Sequence, residues 1–91
     1  MGKEQRSILF SGAVQGVGFR FTACRAAGSH EVAGYVRNLR DGRVECLVEG
    51  EASEIDAFLA DLRQRMAGYV QSCTQQTALY TGRYTQFSVS F

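Results

Sequence analysis

Three glycines fall in the seven residues from Gly12 to Gly18 of "SGAVQGVGFRFTACR", and no other stretch narrows the fold as much. Before it, Ile8, Phe10, Gly12 and Val14 alternate with Ser7, Leu9, Ser11 and Ala13, the period of two that marks a half-buried strand. After it, "RFTACRAAG" is rich in alanine, reads as a helix, and stops near Gly28, a residue suited to a C-cap. A strand must therefore hand over to a helix through nearly bare backbone. The chain contains no proline, so glycine alone marks its turns.

The remaining elements follow in order. "AGYVRN" reads as a second strand and "RVECLVEG" as its partner, with Val44, Cys46 and Val48 on one face. The link "LRDG" ends in the Asp-Gly pair of a tight hairpin turn. In "SEIDAFLADLRQRM" the residues Ile55, Phe58, Leu59, Leu62 and Met66 recur at helical spacing, and Ser53 with Asp56 three places on forms a capping-box pattern. The threonine- and glutamine-rich "VQSCTQQTALYTGRYTQFSVSF", with Phe87, Val89 and Phe91 alternating, predicts one longer strand and a short terminal one. The order βαββαβ predicts an α+β, ferredoxin-like two-layer sandwich, an antiparallel sheet with two helices on one face. At 91 residues, positions 1–91 are expected to form a single domain.

Charge excludes several functions. The net charge of +1, with both signs interspersed, offers no footprint for duplex DNA or an anionic membrane surface. No apolar run approaches the ~20 residues of a membrane span or forms a signal segment, so a cytoplasmic location is expected. The three cysteines, Cys24, Cys46 and Cys73, are widely separated and read as small core or partly exposed side chains. His30 is the single histidine, so no metal site is expected.

A glycine-rich turn that opens a helix can cradle an anion, because the first helical N–H groups lack partners and the helix dipole adds partial positive charge. Gly16 and Gly18 let the main chain curl, and Arg20 in the first turn supplies a planar fork for two phosphate oxygens. The loop is neither a Walker A sequence nor a dinucleotide fingerprint, since Phe21 stands where the third glycine belongs. Taken alone it is equally compatible with a tight turn that leaves Arg20 in solvent. Asn38 supplies a second element. The crossover through the first helix makes strands one and two parallel, which brings Asn38 and the loop to the same sheet edge. The third strand lies between them, separating the backbones by about 10 Å. An asparagine before a hairpin also serves simply as a turn residue.

"GAVQGVGFR", followed by Asn38 in "GYVRNLRDGRVECLVEG", resembles both signature motifs of the acylphosphatase family, and element order and length agree over nearly the whole chain. The resemblance implies a small metal-independent hydrolase of acyl phosphates that needs no cofactor. It implies a phosphate cradle of Gln15, Gly16, Val17, Gly18, Phe19 and Arg20, with Arg20 as the phosphate-binding arginine. Asn38 would orient the attacking water. Partners would be the acyl phosphate and inorganic phosphate as product or inhibitor, with the chain a monomer that binds no nucleic acid and no membrane. Tyr35 replaces a frequent tryptophan of the family, Ala13 a frequent basic residue, and the "MAGYVQSCTQQTALYTG" stretch lacks its frequent proline.

The chemistry is self-consistent: the leaving group is a carboxylate, stable as an anion at neutral pH, so no acid is needed to protonate it. Two rivals remain distinct. A low-activity relative would be a phosphate or carbamoyl-phosphate binding module, similar to the N-terminal domain of hydrogenase-maturation carbamoyltransferases. An RNA-recognition domain shares the element order, but "RVECLVEG" carries no aromatic to stack a base.

Overall fold

The structure, a computed structural model, describes residues 2–91. The elements are β1 (Lys3–Gly12), α1 (Phe19–Ala27), β2 (Val32–Asn38), β3 (Val44–Glu51), α2 (Ala52–Arg65), β4 (Val70–Leu79) and β5 (Phe87–Val89). They form one sheet in the order β4-β1-β3-β2-β5. This is the expected ferredoxin-like arrangement with one modification. β3 runs antiparallel to both β1 and β2, and β4 antiparallel to β1, but β5 joins β2 in parallel, so the sheet is mixed.

Period-two patterning decides which face is covered. Ile8, Phe10, Val36, Val44, Cys46 and Val48 are fully buried beneath the helices, whereas Ser7, Leu9, Glu45 and Leu47, pointing the other way, are half-buried. From the helices come Phe19, Ala23, Ala26 and Ala27 on α1 and Ile55, Phe58, Leu59 and Leu62 on α2. Small alanines let α1 lie close, and the Phe19 ring packs 5.0 Å from that of Phe10, which fixes the start of α1 on the end of β1. Each ring of that kind contributes roughly 1.5–3 kcal/mol by leaving water. Phe58 packs 5.3 Å from Phe87 and so holds the short β5 to the layer.

The capping-box expectation at Ser53 is overturned. β3 stays paired through Glu51, opposite Lys3, and passes directly into α2, so Glu51 is the N-cap and has no side-chain cap bond. Asp56 instead ion-pairs at 2.6 Å with the buried Arg6 of β1. The Asp-Gly hairpin is where the sequence places it: Asn38 opposes Val44, Leu39 N donates to Arg43 O at 2.8 Å, and Gly42 N closes the turn on Leu39 O. α1 ends at Gly28 as expected, although in a right-handed conformation and not the left-handed one of a typical glycine cap. No helix is long and apolar enough to cross a membrane, among the described residues.

Candidate active site

The three glycines of the opening stretch are there for two different reasons. At Gly12 a Cβ would lie 2.4 Å from Tyr69 O, because the register shift between Ser11 and Gly12 brings the start of β4 against the end of β1. Gly16 and Gly18 face open space instead, and each has φ 78°. Their glycine character is a requirement of the left-handed backbone. Gly18 is the N-cap of α1, and two left-handed residues so close together reverse the chain between the end of β1 and the first helical turn.

The result is a run of backbone donors without acceptors. The first backbone amide after the loop to find one is Thr22, bonded to Gly18 O at 2.9 Å; among the described residues, the amides of residues 15–21 donate to no protein group. α1 has no acidic residue in its first turn and no side-chain cap, so the positive end of its dipole is uncompensated.

Arg20 lies in that first turn, half-buried, with its guanidinium carbon 5.5 Å from the centre of the exposed Phe91 ring. Arg20, like Arg25, Arg40, Arg63 and Arg83, pairs with no carboxylate among the described residues, whereas Arg6, Arg37, Arg43 and Arg65 each do. Asn38 closes β2, and β3 separates it from β1 as the parallel-strand argument requires. Gly16, Gly18, Arg20 and Asn38 line one cavity of about 430 Å³, walled elsewhere by Val14, Phe19, Phe21, Cys24, Val89 and Phe91.

Two of the expected cradle residues point their side chains elsewhere. Val17 packs against the core cluster. The Gln15 carboxamide crosses to the hairpin, where Nε2 donates to Leu39 O at 2.7 Å and to Arg43 O at 3.0 Å. Sequence reasoning missed this link, as well as the apolar wall. Only the alternation of Phe87, Val89 and Phe91 hinted at it, and of the three Phe87 and Val89 pack against the core while Phe91 is exposed. Burial raises the Cys24 thiol above its ordinary pKa, so it lines the wall as a protonated, apolar group at neutral pH.

A family model described as acylphosphatase matches residues 6–89. The chain belongs to the acylphosphatase family. Among its acylphosphatase relatives, a protein of that name from Methylococcus capsulatus is 41% identical over 83 residues, 90% of either chain. The crystal structure of acylphosphatase from Bacillus subtilis has a TM-score of 0.87 at 29% identity and covers 97% of this chain and 99% of that one. The crystal structure of T. kodakarensis HypF, also 29% identical with a TM-score of 0.78, covers 99% of this chain but only 12% of that one. An acylphosphatase-like fold thus also occurs as a small part of a much longer protein.

Proposed function

We propose that this acylphosphatase-family chain hydrolyses acyl phosphates to a carboxylate and inorganic phosphate, without metal or cofactor. The observation that carries the reading is the meeting of Arg20, Asn38 and the loop of acceptor-free amides around one cavity. The backbone N–H groups of Gln15, Gly16, Val17, Gly18, Phe19 and Arg20 take the phosphoryl oxygens, and the Arg20 fork binds two of them at once.

In a loose phosphoryl-transfer transition state, charge spreads over three equatorial oxygens, and preorganised donors stabilise it without reorganising. Asn38 is an amide and not a base, so it orients the attacking water, and the proton of that water passes to a phosphate oxygen of the substrate. The carboxylate departs as an anion. Inorganic phosphate acts as product and competitive ligand, and the chain works as a monomer.

The test is hydrolysis of benzoyl phosphate beside an alkyl phosphate monoester. Cleavage of the first and not the second is expected, because no carboxylic acid or imidazole lines the cavity to serve as general acid for a departing alkoxide. Comparable cleavage of the monoester would sink the mechanism. Phosphate binding without turnover of either would identify a binding module instead.

A further inference from the structure

The hairpin that carries Asn38 and the loop that carries the cradle are joined by one side chain. β1 and β3 stop pairing at Phe10 and Val44, and Asn38 opposite Val44 is the last residue of β2, so sheet pairing ends where the site begins. Beyond that point, among the described residues, the hydrogen bonds between residues 13–18 and residues 39–43 are the two from Gln15 Nε2. Both protons of the carboxamide are used. Their acceptors, Leu39 O and Arg43 O, belong to the two residues that face each other across the hairpin neck, where Leu39 N bonds Arg43 O at 2.8 Å. Leu39 follows Asn38 directly. The backbone amide of Gln15 stays without an acceptor, so side chain and main chain of this residue serve different halves of the site.

We propose that Gln15 is a positioning residue: its side chain sets the location of Asn38 relative to the cradle while its backbone N–H remains part of the cradle. The proposal rests on the acyl phosphate hydrolase reading for its effect on turnover. Phosphate is held on one side of the cavity and water on the other. A displacement of about 1 Å between two reacting partners costs up to about 10²-fold in rate. A clamp of two hydrogen bonds at the hairpin neck controls that displacement and leaves the affinity of the cradle itself almost untouched. Glutamine suits the task because two donors on one planar group can reach two carbonyls at once. Glutamate of the same length would present only acceptors.

The test combines kinetics with a readout that does not need turnover. Gln15→Met keeps the length and removes both donors. With benzoyl phosphate its kcat should fall between about 10- and 100-fold while KM and the dissociation constant of inorganic phosphate stay within about twofold. In an Asn38→Ala background the same substitution should have almost no further effect on kcat, because its action runs through Asn38; multiplied effects would show that it acts independently and would overturn the proposal. In ¹⁵N NMR spectra the side-chain amide of Asn38 should shift or broaden in Gln15→Met. In the wild type the carboxamide protons of Gln15 should exchange slowly, and exchange at the rate of an exposed glutamine would remove the clamp even if the variant fails to fold. A wild type that cleaves no acyl phosphate, yet whose Asn38 resonances move in the variant, refutes the enzymatic reading and keeps the positioning. Unchanged kcat and unchanged Asn38 resonances refute the positioning and keep the enzyme.

Discussion

At one end of the sheet β1 passes through the glycine loop into α1, and at the other β3 passes without a loop into α2. Both ends have a helix N-terminus beside a cavity, and the one at α2, about 630 Å³, is the larger. The difference is whether acidic side chains stand beside the cavity. At the α2 end the chain brings its own anions. Glu49, 2% exposed, accepts from Gln5 Nε2 and from both the amide and hydroxyl of Thr81 through Oε2, and from Gly82 N through Oε1. Glu54, in the first turn of α2, accepts from Glu31 N. At the α1 end no carboxylate answers the loop amides or Arg20 among the described residues. A carboxylate built into one end locks the connection between β4 and β5; its absence from the other leaves donors for an anion from solution. Cavity size does not reveal which end lacks a carboxylate.

The strongest way to break this contrast is to remove the one unpaired cation of the cradle. Arg20→Ala should lose on the order of 10³-fold or more in kcat/KM with benzoyl phosphate and should abolish the phosphate-dependent rise in melting temperature. Arg20→Lys should recover little, since a point charge does not replace a bidentate fork. Near-normal activity in the lysine variant would mean that the fork is unused.

Asn38→Ala separates the two sides of the same cavity. Expected is a fall in kcat of roughly 10²- to 10³-fold, as for loss of one transition-state donor, with KM and the phosphate-dependent melting shift retained. Loss of that shift would move Asn38 into the cradle. EDTA should change neither protein, because in the proposed mechanism the amides and Arg20 alone hold the phosphoryl oxygens.

The reverse experiment opens the end that the chain has filled. Glu49→Gln should lower stability by about 2 kcal/mol, close to 10 °C in melting temperature for a domain of this size, with kcat on benzoyl phosphate unchanged. Burial opposes ionisation of Glu49, but the bonds from Thr81, Gln5 and Gly82 outweigh it and hold its pKa below the ordinary carboxylate value. The sign follows from that depression: the stabilisation is complete above the unfolded pKa of about 4.3 and is lost as pH falls through the lower folded value. Melting curves of wild type and Glu49→Gln should therefore converge on acidification, and a constant gap would show that the carboxylate charge is not what the loop requires.

The smallest effect is expected from making the cradle resemble the other end. Phe21→Glu gives α1 the first-turn acid that α2 has, and should weaken phosphate binding on the order of tenfold through the dipole and the added charge. Titration of inorganic phosphate by calorimetry measures it. Unchanged affinity would mean that an uncompensated helix terminus contributes nothing here.

Much of this was legible in the residues because it depends on local pattern. Alternation at Val44, Cys46 and Val48, helical spacing from Ile55 to Met66, and Asp-Gly before β3 each specify an element through contacts a few positions away, and all of them recur in the structure. Element order then brought the glycine loop and Asn38 to one edge, since parallel strands end on the same side. The sequence by itself thus determined the elements, their order, the positive-φ turn and the identity of the polar groups available to a ligand. Tertiary structure alone decided the rest. Ser53 lost the cap because β3 stays paired with β1 through Glu51, and Asp56 went to Arg6, fifty positions away. β5 joined β2 in parallel, and Phe87 packs on Phe58. The Gln15 carboxamide found two carbonyls across the site, and Phe91 came to lie on Arg20. Such pairings join groups far apart in the chain, and a side chain's choice among distant partners is settled only when packing has excluded the alternatives.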